Sequence, residues 1–214
     1  MKTAVTLTEH REDGYACFRL ENKYMAVTVC SLGARVLSAE VPDRDGNRAD
    51  VLLGLADPHD PGEDGAYFGA FVGRVANRIR GAAFDLNGEH FRLTKNAPPH
   101  HLHGGFAGFN RKLFRCVPAE DGVTFRCSSP DGEEGYPGNL DAEITYTLHG
   151  SAFTAAIRAV SDADTLFAPT CHLYFNLGGS LWEHTLTIAA EEYLPVDGDC
   201  LVCGRTLSGG GDLL

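Results

Sequence analysis

Apolar and polar residues alternate with a period of two along most of this chain, and turn-forming clusters break the alternation at short intervals. The pattern is clearest over residues 139–148 (NLDAEITYTL). There Leu140, Ala142, Ile144, Tyr146 and Leu148 share one face, and Asp141, Glu143, Thr145 and Thr147 share the other. Such a segment is an antiparallel strand buried on one side. Residues 152–160 (AFTAAIRAV) form its partner across His149-Gly150. Earlier runs at 15–20, 24–29 and 36–41 are rich in β-branched and aromatic residues. They are separated by Glu21-Asn22-Lys23, by Ser31-Leu32-Gly33 and by 42–47, with Asp45-Gly46 at a hairpin tip. Residues 51–55 are another short apolar run, and 57–65 read as a surface loop. Asn87-Gly88 joins 82–86 to 90–93, and Asp121-Gly122 joins 112–118 to 123–128. Residues 173–177 and 185–189 close the series, before the Gly-rich end at 208–214. No helical periodicity is sustained anywhere. Many short strands with frequent turns predict an all-β chain, a large antiparallel β-sandwich or barrel. With no repeat, linker or low-complexity tract, residues 1–214 are expected to form a single domain.

Composition narrows the function more than the fold. Hydrophobic residues make up 43% of 214 and charged residues 22%, enough apolar material for a sizeable core. The net charge of −11, with no basic stripe, argues against nucleic acid and anionic membranes and suits a neutral small-molecule partner. The first ten residues carry no apolar signal region, and no run is long enough to span a bilayer. Seven cysteines, an odd count with irregular spacing, point to reduced thiols and a cytoplasmic setting. Cys200 and Cys203 form a lone CxxC. Its nearest companions, Cys171 and His184, lack a regular ligand spacing, so no metal is expected.

Four stretches carry candidate chemistry. Asn77-Arg78 offers amide and guanidinium donors to adjacent hydroxyls, or a structural ion pair at a strand end. In His100-His101-Leu102-His103-Gly104-Gly105 an extended backbone would turn His101 and His103 to one face, as hydrogen-bond donors to a ligand or as turn caps. In 169–179 (PTCHLYFNLGG), His172, Tyr174 and Asn176 share a face, and an imidazole there can act as a general acid or sit bonded in the core. In 129–140 (SPDGEEGYPGNL), Glu133 and Glu134 are either catalytic carboxylates or solvated turn residues.

Taken together, GRVANRIRGAAFDLNGEHFRL, LHGGFAGFNRKLF, SPDGEEGYPGNLDAEITYTL, CHLYFNLGG and EEYLPVDG resemble the aldose 1-epimerase (galactose mutarotase) family, in its order and with its spacing. The likeness runs from Gly73 to about Gly198, and YMAVTVCSLGARVLSAEV is also family-like. It implies a galactose mutarotase-like β-supersandwich that interconverts the α and β anomers of an aldohexose without a cofactor or metal. By the same resemblance His172 is the acid to the ring oxygen O5, and His103 is a second catalytic histidine polarising the sugar. Asn77, Arg78, His103, His172 and Tyr174 bind substrate. Two features depart from the family: Pro169-Thr170-Cys171 stands before the histidine, and Leu201-Val202-Cys203-Gly204 follows the PVD turn. Family members are longer, with a base Glu and a sugar-recognising Asp in their C-terminal part. The chain is therefore expected to be a C-terminally truncated or short form lacking the last strands. A sugar-binding protein without turnover and a hexose-phosphate epimerase stay open as alternatives.

Overall fold

The alternation along the sequence folds into two antiparallel sheets laid face to face. The computed structural model describes residues 2–59 and 65–208, so most of the Gly-rich end at 208–214 and part of the 57–65 loop lie outside the described residues. The first sheet follows chain order: β1 (Ala4–His10), β2 (Ala16–Glu21), β3 (Ala26–Cys30), β4 (Val36–Pro42) and β5 (Arg48–Asp50). Short pieces come next: β6 (Phe71–Val72), β7 (Arg78–Ile79), β8 (Ala83–Leu86), β9 (Glu89–Arg92) and β10 (His101–Leu102). The second sheet is a four-stranded meander of β11 (Arg115–Pro118), β12 (Gly122–Ser129), β13 (Leu140–His149) and β14 (Ala152–Ser161). Finally come β15 (Thr170–Cys171), β16 (Glu192–Tyr193) and β17 (Leu207–Ser208). Helical structure among the described residues is confined to single 3-10 turns. No described helix is long and apolar enough to cross a membrane.

The core lies between the sheets. Leu140, Ala142, Ile144, Tyr146 and Leu148 of β13 all point inward, as their alternation predicts, and meet Phe18, Val27, Val29 and Val36. Phe18 and Phe125 pack edge to face across the gap with centroids 6.4 Å apart, and Tyr146 donates its hydroxyl to the Ala34 carbonyl at 2.8 Å. Each large apolar side chain buried here contributes roughly 1.5–3 kcal/mol. The β8–β9 hairpin turns on Asn87 (φ 54°) and Gly88 (φ 85°), the positive dihedrals that a tight two-residue turn requires.

The structure corrects several strand boundaries. β1 (AVTLTEH) lies on a sheet edge, where polar residues are tolerated, so its sequence carries little strand signal. Residues 51–55 and 173–177 touch through a single bridge, Leu52 with Phe175. The alternation at 185–189 belongs to no strand, since no neighbouring strand pairs with it among the described residues.

Candidate functional site

One wall of the site is built where β7 pairs with β10, His101 opposite Ile79 and Leu102 opposite Arg78. One step beyond that ladder, Asn77 and His103 both take positive φ, 65° and 52°, so the backbone closes back on itself. His103 N–H donates to the Asn77 carbonyl at 3.1 Å, and Asn77 N–H donates to His103 Nδ1 at 2.9 Å. Asn77 spends its own side chain locally, its Oδ1 accepting from Arg78 N–H at 2.9 Å. Gly104 next door is obligatory: a Cβ there would sit 1.7 Å from the Gly73 carbonyl oxygen. Asn96 pins the loop from behind, exchanging two 2.8 Å bonds with the Leu102 backbone.

The opposite wall is the stretch through His172 and Tyr174. β15 pairs with β6, and His172 continues the ladder, donating N–H to the Ala70 carbonyl and accepting from Gly69 N–H, each at 2.8 Å. Leu53 N–H then bonds the Tyr174 carbonyl at 2.9 Å. Strand alternation turns Leu173 toward the main core and leaves His172 and Tyr174 on the other side, ring centroids 5.1 Å apart.

The two walls meet through their rings. His103 and His172 lie edge to face at 5.1 Å and 87°. Tyr67 touches both, with centroids 4.6 Å from His103 and 5.9 Å from His172, and Phe68 lies 4.9 Å from Tyr174. Because Nδ1 of His103 accepts the Asn77 N–H, the neutral ring carries its proton on Nε2 and presents a donor. Burial, then the neighbouring His172 and the Arg78 charge, push the His103 pKa down to about 4. The arrangement brings together one fixed neutral donor, a second imidazole in contact with it, a guanidinium close by and the aromatic rings of Tyr67 and Tyr174. It suits a small, neutral, hydroxyl-bearing ligand.

Other sequence candidates lie elsewhere. His101 does not share a face with His103, because the positive φ at His103 ends the extended geometry. Its ring is fully buried, with Nδ1–H given to the Thr94 carbonyl at 2.8 Å and Nε2 accepting the Tyr136 hydroxyl at 2.8 Å. Burial holds its pKa below the usual histidine range. Glu133 and Glu134 are structural: Glu133 binds Lys112 and the Ser129 hydroxyl, and Glu134 accepts from Ala107 N–H at 2.6 Å and from the Thr94 hydroxyl. Cys200 and Cys203 are exposed thiols, and no cluster of three or more His, Cys, Asp or Glu suited to a metal occurs among the described residues. A separate hollow of about 680 Å³ lies on the second sheet, between Arg126, Glu143 and Arg158, away from both histidines. Nothing in the sequence singles out Tyr67 or signals its φ of 57°.

A family model described as aldose 1-epimerase matches residues 16–211. The chain is 42% identical over 184 residues to galactose mutarotase of Mus musculus, covering 84% of this chain and 54% of that protein. It is 39% identical over 181 residues to aldose 1-epimerase of Escherichia coli (strain K12), covering 82% and 52%. The crystal structure of galactose 1-epimerase from Lactobacillus acidophilus NCFM superposes with a TM-score of 0.83 at 31% identity, covering 99% of this chain and 64% of that one. The chain thus spans about half the length of the curated relatives it matches.

Proposed function

Given that this chain belongs to the aldose 1-epimerase family, we propose that the site formed by His103 and His172 acts on the anomeric centre of an aldohexose such as galactose or glucose. The observation that carries this reading is the edge-to-face packing of the two imidazoles, 5.1 Å apart, one of them locked as a neutral Nε2–H donor. In the proposed reaction His172 delivers a proton to the ring oxygen O5 as the C1–O5 bond breaks, and the O1 hydroxyl loses its proton to a base. The resulting aldehyde rotates about C1–C2 and recloses on its other face. One acid and one base suffice. His103 polarises O5 through its Nε2–H, Arg78 and Asn77 take ring hydroxyls, and Tyr174 with Tyr67 offers an apolar wall to the sugar's C–H face. Glu133 and Glu134 are tied into the loop they stabilise, so neither is assigned the role of base. We assign the protein to the cytoplasm, a reading supported by its unpaired cysteines.

Polarimetry on freshly dissolved α-galactose tests the proposal. The chain is expected to speed equilibration, His172→Ala to reduce the rate about 100-fold or more, and Arg78→Ala to act mainly on KM. A folded chain that leaves equilibration at its spontaneous rate would sink the catalytic reading, and calorimetry would then report whether hexose still binds.

A further inference from the structure

The first sheet carries a feature that the site formed by His103 and His172 does not use. Cys17 on β2 and Cys30 on β3 are directly opposed in the antiparallel register. Asn22 N–H bonds the Met25 carbonyl at one end of this strand pair, and Ser31 N–H bonds the Ala16 carbonyl at the other. Counting inward from either end makes the 17/30 pair one that exchanges no backbone hydrogen bonds. Opposed Cα atoms in such pairs lie about 4.5 Å apart, inside the span that a disulfide bridges. The Cys17 thiol donates to the Tyr15 hydroxyl at 3.1 Å, and the Cys30 thiol donates to the Leu32 carbonyl at 3.5 Å. The pair sits away from the main core: Phe18 and Val29 fill one face, while Tyr15, Cys17 and Cys30 form a small cluster on the opposite face, itself buried, with Cys17 5% and Cys30 0% exposed. That cluster is capped by the His59 ring, 4.5 Å from Tyr15.

We propose that Cys17 and Cys30 form a dithiol modification site that hydrogen peroxide closes to an intramolecular disulfide. The Cys30 sulfur attacks one peroxide oxygen, the O–O bond breaks, and a sulfenic acid and one water form. The Cys17 sulfur then displaces the hydroxyl from the Cys30 sulfur, the S–S bond forms and a second water leaves. The two sulfurs together lose two electrons, and the peroxide gains them. Cys30 is assigned the first step because its neighbour Cys17, against the opposing effect of burial, holds its pKa below the usual thiol range. The neighbouring Cys30, followed by burial, pushes the Cys17 thiol up, as befits the resolving partner.

Cys200 and Cys203 are exposed and close in sequence, so the test uses the 214-residue chain carrying Cys200→Ser and Cys203→Ser. After treatment with hydrogen peroxide, the chain is denatured, alkylated and analysed by intact mass and peptide mapping. The expected result is the loss of two alkylatable thiols, one peptide pair linked through Cys17 and Cys30, and full reversal by a dithiol reductant. Cys17→Ala in the same background is expected to leave oxidation as a sulfenic or sulfinic adduct on Cys30. Peptide mapping of the parent chain decides the matter alone if that variant fails to fold. Retention of both thiols, a link among other cysteines, or an unchanged loss of two thiols in the Cys17→Ala chain would overturn the proposal.

Discussion

His103 shows how a few atoms fix a chemical role. Its Nδ1 is occupied by the Asn77 N–H, and burial, His172 and Arg78 all oppose its protonation. The ring is therefore expected to remain the neutral Nε2–H tautomer throughout the neutral range. Imidazole nitrogen shifts in an NMR titration should report that tautomer at pH 7 and a midpoint near 4. The same shift is linked to stability. An unfolded histidine takes up its proton near pH 6.5, whereas folded His103 does so only at about 4. Between those values the unfolded chain binds more protons, so stability falls as pH falls through the window and is constant above it. The loss amounts to about 2 kcal/mol, less than the full conversion of the shift because part of the ring faces solvent. His103→Gln should flatten that part of the urea-midpoint profile, and a profile unchanged by the substitution would contradict the account. The residue type and its glycines were legible in the sequence. The tautomer and the Tyr67 contact were not, because both depend on positive φ at non-glycine positions.

Among the elements, the loop at 129–140 is the case where sequence and structure part most usefully. Its Pro, Gly and acidic residues read as a solvated turn or a source of catalytic carboxylates, yet it is organised by a buried cation from another segment. Arg74 is 2% exposed and gives hydrogen bonds to the carbonyls of Ser129, Pro130, Pro137 and Gly138 and to the hydroxyls of Ser129 and Thr165. Removing it strands several buried acceptors at once, and each costs about 1–3 kcal/mol. Arg74→Ala is thus expected to destabilise the chain by more than about 3 kcal/mol in urea denaturation. Arg74→Lys should fall between it and the parent, because one ammonium cannot reproduce the guanidinium's fan of donors. A loss below about 1 kcal/mol for Arg74→Ala would mean that the loop holds itself. Most strands of both sheets were visible because period-two burial is a local signal, but the edge strands β1 and β5 were not, since they bury little apolar surface. The partners of Arg74 lie up to 91 residues away, beyond what local pattern can reveal.

At the scale of the whole molecule, the two sheets end differently. The first is blunted at one edge by β1, whose outward residues are largely polar, and at the other by the short β5. The second ends on β14, ten residues long, which pairs only with β13 among the described strands. Its backbone therefore offers a long row of unsatisfied donors and acceptors. Ile157 and Val160 stand beside them, 39% and 61% exposed. Trp182, Leu186 and Ile188 add further exposed apolar surface later in the chain, with Trp182 95% exposed. A long edge strand flanked by apolar side chains is a template for pairing with another strand, and Arg158 is the one charge on β14 that opposes it. The chain on its own is consequently expected to self-associate with rising concentration in sedimentation velocity. Charges placed on that edge by Ile157→Lys and Val160→Lys should shift it toward monomer while leaving its far-ultraviolet circular dichroism unchanged. Trp182→Ser, which removes apolar surface without touching the edge, separates the two contributions. If it alone restores the monomer, association runs through the apolar surface and not through β14, and a chain that stays monomeric at high concentration rules out both.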